Sequence, residues 1–128
     1  MLVIISKKVK KDMSTIAIDF DGVLHSYTSG WTGYQPCDTP NNGAQEFIND
    51  IISMGYKVVI FSSRASTKIG KKGIEDWLDK HDFPILEITD KKPEAVLYVD
   101  DRGFRFEGDF SKVLDFVKNK GFDKKKGE

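Results

Sequence analysis

The chain has 128 residues, 39% of them hydrophobic and 12% aromatic, which is enough for one domain with a buried core and excludes a disordered chain. Lys plus Arg equals Asp plus Glu, 20 against 20, so no net field would hold the protein on bulk nucleic acid or an anionic membrane, and any polyanion contact must be local. The apolar opening run, Leu2 to Ile5, is too short for a membrane span or a signal-peptide core, and the single cysteine, Cys37, has no partner for an internal disulfide; a cytoplasmic protein with an inert thiol is expected.

Residues 1–14 hold a short apolar run and then Lys7-Lys8-Val9-Lys10-Lys11, a leader or edge strand expected to be dispensable. The strand Thr15 to Phe20 follows and delivers Asp19 and Asp21 into a turn at Gly22. Residues i and i+2 of a strand point to one side, so both carboxylates can face one pocket. From Val23 to Thr39 the chain has loop or hairpin composition, with His25, Tyr27, Trp31 and Tyr34 spaced through it. Pro40 to Met54 is the clearest helix: Ala44, Phe47, Ile48, Ile51 and Ile52 make one apolar stripe, and Gly55 supplies a left-handed cap. Tyr56 to Phe61 is the nearly continuous apolar run of a strand buried on both faces, and it ends at Ser62-Ser63-Arg64. A helix over Gly70 to His81 buries Ile74, Trp77 and Leu78, and Phe83 to Thr89 gives a third strand. After Asp90-Lys91-Lys92-Pro93, Ala95 to Val99 is a fourth strand, ending in Asp100-Asp101. A last helix runs from Phe110 to Lys120, and residues 122–128 form a charged flexible tail. The domain proper is therefore expected over residues 15–121.

Strands alternating with helices predict a parallel sheet with helices on both faces, whose ligands bind outside the carboxyl ends of the strands. Asp19, Asp21, Ser62, Lys92 and the Asp100-Asp101 pair all fall at or near those ends. Phosphate-ester cleavage needs a nucleophile, a proton donor for the departing alcohol and neutralisation of the phosphoryl oxygens. Asp19 can attack phosphorus, Asp21 can protonate the leaving oxygen and later deprotonate water, and Ser62 and Lys92 can bind the phosphoryl group. Clustered hard oxygens suit Mg²⁺, held between Asp19, the Asp21 backbone carbonyl and Asp101 or Asp100.

The order Asp19-Phe20-Asp21-Gly22-Val23, then Ser62, then Lys92, then Asp100-Asp101 resembles the four motifs of the haloacid dehalogenase superfamily of phosphatases, over Ile16 to about Phe106. The resemblance implies a single Rossmann-like three-layer α/β domain with a parallel sheet and no cap domain, since the chain has no room for one. It implies Asp19 as nucleophile, Asp21 as acid and base, Ser62 and Lys92 as phosphate stabilisers with Gly22 and Ser63 beside them, and the acidic pair as the metal end. Lys92 is favoured over Lys91 because Pro93 follows it, and Asp101 over Asp100 as the direct ligand. Where many members carry a further acid after the last motif, this chain has Arg102, Gly103, Phe104 and Arg105. Small phage and bacterial hydrolases, and more distantly the phosphatase domain of polynucleotide kinases, are similar. The expected substrate is a phosphorylated small molecule or a nucleic-acid end. Arg64, His25 and Trp31 are candidate substrate contacts, with Arg64 equally suited to holding a loop and His25 better suited to a surface or hydrogen-bonded position. The competing expectation is a non-catalytic phosphate-binding or phosphoacceptor signalling module, such as a receiver domain, which the order of the acids disfavours. An oligomer is compatible with this sequence.

Overall fold

The computed structural model describes residues 14–100 and 108–120, so residues 1–13, Asp101, Arg102 and the tail over 122–128 lie outside the described residues. Among the described residues, β1 (Thr15–Asp19) is flanked by β2 (Lys57–Phe61) and β4 (Leu97–Val99), with β3 (Glu87–Thr89) outside β2. All three pairings are parallel. The connections carry α1 (Ala44–Ser53), a 3-10 turn (Ser63–Ser66) and α2 (Lys68–Lys80), and α3 (Phe110–Lys120) follows β4. The protein is a small single-domain α/β fold with a Rossmann-like parallel sheet.

Side-chain alternation divides the sheet into two faces. Ile16, Ile18, Val58, Ile60, Ile88, Leu97 and Val99 join one buried cluster with Phe47, Ile48 and Ile51 of α1, Ile74, Trp77 and Leu78 of α2, and Phe110, Val113 and Val117 of α3. Register agrees, since Ile18 lies opposite Ile60 on one side and Val99 on the other. The three described helices therefore cover a single face. Ala17 and Val59 are buried on the other, where sequence alternation had placed a third layer and no described helix supplies it.

Element boundaries differ from the sequence expectation for local reasons. Helix α1 starts at Ala44 rather than Pro40 because Gly43, at φ 82°, turns the chain in the left-handed region. Ahead of it, Asn41 is tied to the preceding loop through Asn41 Nδ2–Val23 O (2.7 Å) and Asn41 N–Leu24 O (2.9 Å). Gly55 ends α1 as expected, at φ 96°. Helix α2 starts before Gly70 because Thr67 caps it, its hydroxyl accepting from Gly70 N at 3.0 Å. Strands β3 and β4 are shorter than their apolar runs; Phe83 N bonds back to Leu78 O and so belongs to the end of α2, and Val96 N reaches Thr15 O at the start of β1. No helix among the described residues is long and apolar enough to cross a membrane.

Candidate active site

Parallel register brings the sequence-distant polar groups to one rim. Asp19 pairs with Phe61, so Ser62 follows at the next level; Ile18 pairs with Val99, so Asp100 stands beside Asp19 on the neighbouring strand. Asp19 Oδ1 accepts from Phe20 N at 2.8 Å, which fixes the carboxylate at the strand end. The Ser62 hydroxyl oxygen accepts from Arg64 N at 3.2 Å and caps the 3-10 turn. Its own proton remains available to donate. Lys92 Nζ lies 3.2 Å from Asp100 Oδ2 and 4.3 Å from the centre of the Tyr98 ring, so its charge is carried at the rim. Lys91 instead bonds through its backbone to Thr89 Oγ1.

Asp21 is held differently. Gly22, at φ 84°, lets the chain double back, with Gly22 N on His25 O at 2.8 Å and His25 N on Phe20 O at 3.0 Å. His25 Nδ1 thereby comes to 2.8 Å from Asp21 Oδ1, while Arg64 Nε donates to Asp21 Oδ2 at 2.9 Å. The His25 and Arg64 side chains are each 1% exposed and Asp21 is 24% exposed. Asp38 N donates to His25 Nε2 at 3.1 Å, so that nitrogen is an acceptor and the ring proton sits on Nδ1, facing Asp21.

The loop from Val23 to Thr39 folds over this pair as a flap. Its ends close through Ser26 N–Thr39 O at 3.0 Å, and Trp77 Nε1 of α2 donates to Asp38 O at 2.8 Å. Arg64 Nη1 donates to Gly33 O and Tyr34 O at 2.8 and 3.2 Å, and the guanidinium carbon lies 4.6 Å from the centre of the Trp31 ring. Ser29 bonds both oxygens of Asp38, first through its hydroxyl and then through its backbone N–H, and holds that carboxyl below its usual range. Helix α2 approaches the flap so closely that a Cβ on Gly73 would stand 2.4 Å from Tyr34 O. Gly73→Ala is expected to cost about 1–3 kcal/mol and to make the flap more readily cleaved by protease. An unchanged melting temperature and cleavage rate would mean that α2 and the flap do not meet in solution.

The expected site residues thus divide. Asp19, Asp21, Ser62, Lys92 and Asp100 share the rim; Gly22 forms its turn and Ser63 opens the 3-10 turn. Arg64 and His25 are buried and touch Asp21, with Arg64 holding the flap, whereas Trp31 is 55% exposed. Asp101 lies outside the described residues. Sequence reasoning missed Asp38, which orients His25, and gave Trp77 only a core role. Neither carried a local signal, because both contacts join residues far apart in the chain. At the rim stand the carboxylates of Asp19 and Asp100 on neighbouring strands, while each oxygen of the Asp21 carboxylate accepts from one N–H donor. Among the described residues no three His, Cys, Asp or Glu side chains gather as a metal-holding group. Two carboxylates, with water in the other positions, would make an oxygen set of the kind Mg²⁺ accepts.

No protein-family model matches the chain, and no curated protein matches it. Among solved structures it is similar to a conserved protein from Bacteroides thetaiotaomicron, at 21% sequence identity and a TM-score of 0.62, over 84% of this chain and 92% of that one. That likeness is one of fold.

Proposed function

We propose that the protein is a phosphatase of the haloacid dehalogenase type, hydrolysing phosphate monoesters through an aspartyl phosphate on Asp19, with a nucleotide or nucleic-acid end as substrate. The observation that supports this reading is the strand register that brings Asp19, Ser62 and Asp100 to one rim, with Lys92 3.2 Å from Asp100 and Asp21 two residues past Asp19, four separate stretches of chain in all. An Asp19 carboxylate oxygen attacks phosphorus as the ester P–O bond breaks, and Asp21 gives its proton to the departing alkoxide. Water then attacks the phosphorus of the aspartyl phosphate; Asp21 takes the water's proton, the acyl-phosphate bond breaks, and inorganic phosphate leaves with Asp19 restored. Each Asp21 oxygen already accepts one hydrogen bond and keeps a second lone pair for this proton. The Ser62 hydroxyl and Lys92 ammonium bind phosphoryl oxygens. Mg²⁺ bound by Asp19, Asp100 or Asp101 and the Asp21 carbonyl would supply further neutralisation of phosphate charge.

The nucleotide preference is supported by Trp31 and Tyr34, which are 55% and 44% exposed and pack edge to face, with the Trp31 ring against the Arg64 guanidinium. Such a ring offers a stacking face to a base. Trp31→Ala is expected to raise KM for nucleoside monophosphates roughly tenfold while leaving ribose 5-phosphate within about twofold; equal effects on both would remove the base from the reading. The test of the activity itself is phosphate release with Mg²⁺ and with EDTA. The panel is nucleoside 3′- and 5′-monophosphates, phosphorylated oligonucleotides, sugar phosphates and p-nitrophenyl phosphate. Metal-dependent release establishes the enzyme and its ranking gives the substrate. No release from folded protein that binds Mg²⁺ would favour a phosphate-binding or phosphoacceptor module instead.

A further inference from the structure

We propose that His25 is a positioning residue that aims the Asp21 carboxylate, by holding one of its oxygens away from Arg64. This rests on the phosphatase reading for its catalytic meaning, while the geometry stands apart from it. Arg64 is 3% exposed, and its Nη2 is buried with no hydrogen-bond partner among the described residues. Nη2 lies on the same edge of the guanidinium as Nε, the edge whose two parallel N–H groups match a carboxylate bidentately. Asp21 fills only half of that fork, with Oδ2 on Nε at 2.9 Å, because Oδ1 is drawn to His25 Nδ1 at 2.8 Å. The buried unpartnered donor is therefore explained by the pull of His25. Released from the imidazole, Asp21 would turn to close a bidentate pair on Arg64, with both oxygens committed to the guanidinium and the carboxylate drawn away from a departing alkoxide.

The imidazole has little freedom to do otherwise. Its ring stacks on Phe20 at 5.2 Å and meets Trp77 and Tyr27 edge-on at 5.5 and 5.8 Å. Its far nitrogen accepts from the Asp38 backbone, which the Trp77 indole holds in turn. A ring flip would break both bonds, so the flap dictates which nitrogen carries the proton and where it points.

The two amide replacements of histidine separate aiming from packing. Asn places its N–H₂ where Nδ1 stands and keeps the donor to Asp21; Gln reaches the Nε2 position, accepts from Asp38 N and leaves Asp21 without its donor. The experiment compares wild type, His25→Asn and His25→Gln by kcat and KM on p-nitrophenyl phosphate with Mg²⁺, melting temperature and crystal structure. His25→Asn is expected to keep kcat within about threefold of wild type and His25→Gln to lose roughly ten- to a hundredfold in kcat at nearly constant KM, the scale of a misplaced catalytic group. The Gln variant should show Asp21 bidentate on Arg64, and the Asn variant Asp21 as in wild type. Equal losses of kcat in both variants, or Asp21 unmoved in the Gln variant, would overturn the proposal. If wild type releases no phosphate from any ester, the phosphatase reading fails by itself, and the orientation of Asp21 in the three structures decides the positioning role.

Discussion

Asp19→Asn is expected to lower phosphate release by at least roughly a thousandfold, because the amide oxygen is no nucleophile toward phosphorus. The fold should survive the change. Asn has the size of Asp, its carbonyl oxygen can still accept from Phe20 N as Asp19 Oδ1 does at 2.8 Å, and the position is half-buried at the end of the sheet rather than within it. The far-ultraviolet circular dichroism and melting temperature should therefore match wild type while single-turnover release disappears. Normal turnover by this variant would sink the mechanism, since no other carboxylate on the rim occupies the end of the central strand. A loss of activity accompanied by unfolding would point to a structural carboxylate instead.

Asp21→Asn should behave in the opposite way toward stability. Two donors, His25 Nδ1–H and Arg64 Nε–H, converge on the two oxygens of Asp21. An amide presents one acceptor and one donor, so one of the two contacts becomes donor against donor. The Arg64 cation would also lose its carboxylate while its side chain stays 1% exposed. Removing one member of a buried ion pair costs about 3 kcal/mol or more, a fall of roughly 10 °C in Tm for a domain of this size. Turnover should be lost as well. Urea denaturation of Asp21→Asn, Arg64→Met and the double variant completes the test. Coupling predicts that the double variant is more stable than the sum of the single losses allows, because the methionine carries no charge left without a partner. Strict additivity would mean that Arg64 and Asp21 do not depend on each other, and the flap would then owe nothing to this pair.

The strands and helices were legible in the sequence because each reports itself locally. Apolar residues at helical period placed α1, a short apolar stretch placed β1, and a near-continuous β-branched and aromatic run placed β2. Each boundary that moved had a cap or a backbone contact that periodicity does not encode, as at Thr67 and Gly43. The rim was legible for a related reason: Asp19, Ser62 and Asp100 end or follow apolar runs, and a parallel sheet brings all such ends to one edge.

What the sequence by itself determined is thus the parallel α/β architecture and the edge on which acids, hydroxyl and lysine meet, since local period and strand ends suffice for both. Only the tertiary structure decided that the three described helices share one face, that Arg64 and His25 turn inward onto Asp21, and that Asp38 and Trp77 hold them there. Those contacts join Arg64 to Asp21 across 43 residues and Trp77 to Asp38 across 39. They pass through an irregular loop whose side chains follow no period, so their direction is set by the packing of α2 against the flap rather than by any pattern along the chain.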